Sequence, residues 1–289
     1  MELSEVREQI DRVDREMRRL FLERMSLSEQ VVRIKAETGD GIYKPDREKA
    51  IIEKQTANVD ARLAREYTAF IKRIMEVSRK YQYGRMLELR KDFPFACAEE
   101  EKEIRNLCVR NEDIALCDSD AAENVLAVHS YEDMGAALRK HLADAGMGVL
   151  GEVGGEVSHA LYDLLLCGPF FITKCTVKKE AGESTRQKVI TFTDTLEVLP
   201  EHDRICLAFT CGDRCGSLGG ILTMIADYGV NLTEFHSRPY RQDDGWGYRF
   251  FAELDACMGE PEIRALLYQL SRETTELRIL GSYVYEEEI

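Results

Sequence analysis

The sequence predicts a multidomain chain, all-α at the front and mixed α/β passing to α+β behind. Three observations predict it. Residues 3–38 contain neither Pro nor Gly and carry an apolar stripe at helical spacing; from Asp92 onward short apolar runs are broken by Gly; and after Pro200 strand-like and helix-like runs alternate in a fixed order.

The front stripe runs Leu3, Val6, Ile10, Val13, Met17, Leu20, Arg24, Leu27, Val31, Ile34, at alternating spacings of three and four, which is a heptad pattern. A helix of that span is about 54 Å long at about 1.5 Å per residue, too long for the rest of a small globule to cover, so a partner chain is expected. Two glycines in Thr38-Gly39-Asp40-Gly41 end the helix. A short second helix is expected from Pro45 to about Ala57, since Pro suits a first turn and Asp46 and Glu48 favour the positive helix end. A third, roughly 61–90, is expected to turn Leu63, Tyr67, Phe70, Ile74, Ser78 and Tyr81 inward. The front is thus expected to be a three-helix domain, 1–90.

The net charge of −14 argues against nucleic acid or anionic membrane as a partner, but it is unevenly placed. Residues 1–90 hold 20 Lys or Arg against 17 Asp or Glu; the remainder holds 19 against 36. No apolar run is long enough for a membrane span, and the charged opening lacks a signal-peptide pattern, which predicts a cytoplasmic protein. Nine scattered cysteines without a CxxC pair predict reduced thiols. His202, Cys206, Cys211 and Cys215 fall close together but fit no zinc spacing, so neither a metal nor a cofactor is expected.

Arg24 interrupts the stripe between Leu20 and Leu27, where a charge is costly unless paired. Lys35 lies eleven residues on, within about 20° of the same direction at about 100° per residue, so the two cations share a face. Ser78 and then Gln82 stand on the third helix where the apolar series Phe70, Ile74 was due to continue. Arg7 flanks the stripe, and Arg47 and Glu48 open the second helix. The set makes a cationic pocket with one carboxylate, suited to a small dianion and lacking a nucleophile or histidine base. Taken singly, Arg7 and Arg47 read equally well as surface charges in helix ion pairs, and Arg24 as half of a buried pair with Glu23 or a neighbour's Glu48.

Residues 1–90 resemble the all-helical chorismate mutase domain of bifunctional P-proteins. That family reads R-x(16)-R-x(10)-K on its first helix, then R-E, then S-x(3)-Q; Arg7, Arg24, Lys35, Arg47-Glu48, Ser78 and Gln82 stand at these spacings. Lys44 departs from it, occupying a position where the family has an acid. The resemblance implies an intertwined homodimer that turns chorismate into prephenate without a cofactor. Arg7 of the second protomer and Arg24 would clamp the two carboxylates, while Lys35 and Gln82 would donate to the ether oxygen. Glu48 would hold the ring hydroxyl, and Ser78 and Arg47 would support the carboxylate pocket.

After Pro200 the runs ICLAF, SLGGILTMIADYG, VNLTEFHSRPY, YRFFAELDA, EIRALLYQLSRET and LRILGSYVY give the order βαββαβ, a ferredoxin-like domain over 201–289. Gly216-Ser217-Leu218 and His236-Ser237-Arg238-Pro239 resemble the two signatures of the ACT domain attached to prephenate dehydratases, with His236 in place of the usual Glu. The resemblance implies phenylalanine as effector, its charged ends met by backbone near Asn231 and Leu232. The middle, 92–200, resembles a dehydratase domain only loosely. GVLGEVGGEVSHALYDLL lacks the family's Asn-Ser pair, Ser184-Thr185-Arg186-Gln187 has Gln where T-R-F has Phe, and the segment is short enough for one of two lobes to be missing. The reading is a phenylalanine-regulated chorismate mutase with a degenerate dehydratase segment. The alternatives are a bifunctional mutase/dehydratase and a non-catalytic amino-acid-binding regulator.

Overall fold

The computed structural model describes residues 2–118, 122–179, 185–242 and 245–287. It divides into two compact units, one of residues up to Phe93 together with Ala265–Glu273, the other of Pro94–Arg264 and Thr274 onward.

The first unit holds α1 (Leu3–Thr38), α2 (Pro45–Thr56) and α3 (Ala64–Arg90). A capping box between Glu2 and Glu5 starts α1, and Gly39 ends it in the left-handed region at φ 75°, with its N–H on the Lys35 carbonyl. Pro45 opens α2 as expected. Arg85 on α3 grips Glu29 on α1 at 3.0 and 3.1 Å, and this contact, with Tyr81 and Arg33, holds the Glu29 carboxyl down at about 2. The apolar heart is Val32, Ile42, Tyr83 and Met86 with Tyr268, whose ring meets Tyr83 edge-on at 5.8 Å between centroids.

The expected inward row on α3 is corrected in part. The buried face runs Ile71, Met75, Ser78, Gln82, Met86, while Leu63, Phe70 and Tyr81 are exposed. An α-helix advances 3.6 residues per turn, and packing against α1 selects a row one residue round from the one counted. Most of the α1 stripe, from Leu3 through Ile10, Val13, Met17 and Leu20 to Ile34, is likewise open on the single chain.

The second unit contains β1 (Asn106–Arg110), β2 (Asn124–Val128), α4 (Tyr131–Arg139), β3 (Ala145–Glu152), α5 (His159–Cys167), β4 (Phe171–Lys179), β5 (Arg186–Thr193), β6 (Arg204–Thr210), α6 (Ser217–Asp227), β7 (Asn231–Gln242) and β8 (Gly245–Asp255). Helix α7 (Pro261–Glu273) and β9 (Glu276–Glu287) complete the βαββαβ order. Segments 92–200 and 201–289 share one nine-stranded sheet, ordered β2-β1-β3-β5-β4-β9-β6-β8-β7. They join where β4 pairs parallel to β9, Ile172 opposite Gly281. A Cβ on Gly281 would lie 2.3 Å from the Ile172 carbonyl oxygen, so the join requires glycine there.

The sheet is curled. Lys188 on β5 and Glu253 on β8 are four strands apart, about 19 Å on a flat sheet at about 4.8 Å per strand. Their side chains nevertheless meet at 3.3 Å, both buried, with Tyr283 donating to Glu253 at 2.6 Å. The main apolar cluster, including Tyr162, Phe192, Phe251 and Tyr283, packs the sheet against α4 and α5. Among the described residues no helix is long and apolar enough to cross a membrane.

Candidate functional site

A cavity of about 540 Å³ opens in the first unit, lined by α1, the loop to α2, the first turns of α2, and α3. Its charged lining is Arg24, Lys35, Lys44, Arg47 and Arg79 against Asp40, Asp46 and Glu48, five cations to three carboxylates. Ser28, Ser78 and Gln82 add polar groups, and Ile42, Ile51 and Met75 make the apolar wall.

Arg24 reaches across from α1 to α3, where it donates to the Ser78 hydroxyl and, at 3.4 Å, to the Ile74 carbonyl. Burial lowers its pKa from the ordinary arginine value, with Glu48 acting the other way. Glu23 is turned instead to Arg19 at 3.0 Å. Lys35 donates to the Ile42 carbonyl at 3.0 Å. Its pKa is lowered, mainly by burial and further by Lys44 and Arg47, against the pull of Asp40 and Glu48. Ser78 donates to the Ile74 carbonyl at 2.9 Å, and the Gln82 amide donates to the Ser78 carbonyl at 3.2 Å. The buried Gln82 Oε1 has no hydrogen-bond partner, an unmet polar atom of the kind a bound polar ligand satisfies.

Of the seven predicted residues, six line this one cavity: Arg24, Lys35, Arg47, Glu48, Ser78 and Gln82. Arg7 does not, because it stands on the same straight helix seventeen residues before Arg24, about 26 Å away at about 1.5 Å per residue. It is exposed on the single chain.

Beyond the predicted residues, the lining charges are Asp40, Lys44, Asp46 and Arg79. Asp40, in the turn after α1, forms an ion pair with Lys44, so a carboxylate stands beside that lysine at the cavity. Arg79 donates from one nitrogen to both Glu48 oxygens at 2.7 Å. The only signal for Arg79 was its place directly after Ser78, in a run of charges that reads as solvated.

The C-terminal residues stand on two elements of the second unit. Gly216 caps α6 at φ 86°, which only glycine adopts freely, followed by Ser217 and Leu218. Asn231, Leu232, His236, Ser237, Arg238 and Pro239 lie along β7, the edge strand. His236 stacks on Phe251 at 4.8 Å and meets Tyr162 edge-on at 5.2 Å, its Nε2 buried without a partner. Burial, with Arg238, His159 and Lys188, lowers its pKa. Arg238 grips Asp163 of α5 at 3.1 and 3.3 Å. Of the T-R-F-like run, Ser184 lies outside the described residues, while Arg186 begins β5 and pairs with Glu287.

His202 is buried against the Ser282 hydroxyl at 3.2 Å and Cys206 is in the core, while Cys215 is exposed. Among the described residues no three His, Cys, Asp or Glu are grouped to hold a metal ion.

A helical domain with a cationic pocket, followed by an α/β sheet domain, is the class that fold and site define. Residues 6–83 match the family model for chorismate mutase type II. The chain is 28% identical over 179 residues to a prephenate dehydratase of Amycolatopsis methanolica, covering 57% of this chain and 59% of that protein. It is 33% identical over 81 residues to a bifunctional chorismate mutase/prephenate dehydratase of Aquifex aeolicus, covering 28% of this chain and 22% of that one. The matches thus span less than two thirds of these relatives' own lengths. In fold it is similar to a prephenate dehydratase from Arthrobacter aurescens solved in complex with L-Phe, at TM-score 0.51 and 14% identity, over 62% of this chain and 89% of that one. The N-terminal region therefore carries a chorismate mutase type II domain, and the sheet region has a prephenate dehydratase-like fold.

Proposed function

We propose that the chain converts chorismate to prephenate, working as a homodimer. The observation that carries this reading is the convergence of Arg24, Lys35, Ser78 and Gln82 on one cavity inside the segment that matches the family model. In the reaction one ether C–O bond breaks and one C–C bond forms within a single molecule, so no group is gained or lost. The pocket's task is to hold a compact conformer and to meet the negative charge that grows on the ether oxygen. Arg24 takes a carboxylate, Lys35 and Gln82 donate to the oxygen, Glu48 accepts from the ring hydroxyl, and Arg47 and Ser78 support the carboxylate end. Arg7 of the second protomer closes the site. The open apolar row on α1 supports that dimer.

Phenylalanine is the proposed effector, bound by a C-terminal ACT domain (201–289) through Gly216-Ser217-Leu218, the Asn231-Leu232 backbone and His236-Ser237-Arg238-Pro239. The solved dehydratase complex with L-Phe supports this reading. Residues 92–200 serve as a degenerate dehydratase segment. The bifunctional reading is favoured by the relative that carries both activities.

The test is a chorismate assay on the full chain, with and without phenylalanine, the products separated. Prephenate alone, at a rate altered by phenylalanine, is expected. Phenylpyruvate would establish the bifunctional enzyme, and unchanged chorismate would overturn the mutase reading.

A further inference from the structure

Helix α2 carries Glu48 but has no buried residue of its own, so packing does little to fix that carboxylate. Arg79 does fix it. Its side chain is 12% exposed and holds a guanidinium nitrogen 2.7 Å from both Glu48 oxygens. On its other side its Nε lies 3.0 Å from Glu273 Oε1, and Tyr43 covers its face at 4.8 Å. Glu273, 6% exposed, also accepts from Gln269 at 3.0 Å. The guanidinium is thus held from two directions, and its position determines where the Glu48 carboxylate points.

We infer that Arg79 is the positioning residue for Glu48, anchored in that task by Glu273 at the end of α7. The inference rests on the mutase reading, in which Glu48 accepts the substrate hydroxyl. A carboxylate has two oxygens and about four acceptor sites. One Arg79 nitrogen engages both oxygens, and acceptor sites remain on a carboxylate that lines the cavity. A lysine would supply the charge without a fork of donors able to engage Glu48 and Glu273 together.

The test is a double-mutant cycle on chorismate turnover, using wild type, Arg79→Gln, Glu48→Gln and the double variant, with Arg79→Lys as the conservative change and melting temperature as the check on folding. Arg79→Gln is expected to lower kcat between roughly tenfold and a hundredfold with KM little altered, as misplacement of a reacting group does. Arg79→Lys recovers part of that loss. In the Glu48→Gln background the Arg79→Gln change costs nothing further, and Glu273→Gln behaves the same way with a smaller loss. Multiplicative losses from Arg79→Gln and Glu48→Gln in an active enzyme would overturn the assignment. If Arg79→Gln fails to fold, the cycle is run with Arg79→Lys and Glu273→Gln under the same criterion. A wild-type protein that leaves chorismate unchanged overturns the mutase reading itself, and so is told apart from failure of Arg79's role.

Discussion

Arg24 on α1 donates to the hydroxyl of Ser78 on α3, fifty-four positions away in the chain. A charge that breaks an apolar stripe and a hydroxyl that breaks another meet at one point, where each removes the cost of the other. Removing the charge while keeping length tests its role. Arg24→Met is expected to lower kcat/KM on chorismate on the order of a hundredfold to a thousandfold, the usual loss for one charge-stabilising donor. A change of less than an order of magnitude would mean that the residue is structural.

The alkaline side of the pH profile belongs to Lys35. Burial puts its pKa below the ordinary 10.5, and it can donate a charged hydrogen bond only while protonated. Turnover should therefore fall as pH rises, with a midpoint below 10.5. Lys35→Arg, whose guanidinium keeps its proton, should lose that limb whatever its absolute rate. Initial rates from neutrality upward in both proteins decide the point.

Arg7 cannot reach the cavity of its own chain, so the dimer reading makes a complementation prediction. Arg7→Ala and Lys35→Ala proteins should each be nearly inactive. Unfolded together and refolded, they should regain about a quarter of wild-type activity, since half the dimers are mixed and each mixed dimer has one intact site. Leu20→Asp, placed in the exposed row, should yield monomers by sedimentation and abolish turnover.

In the sheet unit, Lys188 between Glu253 and Glu234 is a buried ion cluster. Lys188→Met strands a buried carboxylate and should cost roughly 3–5 kcal/mol by urea denaturation, whereas Lys188→Met with Glu253→Leu should cost less. The sign with pH follows from the shifts. Burial raises the Glu253 pKa, but Lys188, Thr233 and Tyr283 outweigh it and hold the value below 4.5. The unfolded chain takes up that proton first, so this contribution is full above 4.5 and is lost as pH falls through the folded value. Burial likewise opposes the charge on Lys188, yet Glu253 and Glu234 raise its pKa above 10.5. Its contribution is full below 10.5 and is lost as pH rises through the folded value. In wild type, stability should fall at both ends; in the double variant both limbs should flatten.

Much of the helical domain could be read from the sequence because its signals are local. The stop of α1 and the start of α2 follow from Gly39 and Pro45, whose backbone preferences act without neighbours. Arg24, Ser78 and Gln82 were legible because each breaks a periodic apolar pattern, which is visible in one dimension, and Lys35 because it stands eleven residues after Arg24 on the same helix face. The inward row of α3 was misplaced by one residue because the sequence carries two adjacent apolar rows and only contact with α1 selects between them.

Tertiary structure alone decided the rest. Arg79, Asp40 and Glu273 are ordinary surface charges in the sequence; only the meeting of α2, α3 and the end of α7 makes Arg79 a clamp on Glu48. The parallel join of β4 to β9 links residues more than a hundred apart, and its register is set by the close approach at Gly281, which no local propensity encodes. The sequence by itself determined which segments are helices and which side chains interrupt them, since backbone preference and periodicity are properties of neighbours in the chain. Which charges meet and which strands pair was decided by the fold, because Coulomb attraction and hydrogen bonding depend on distance in space.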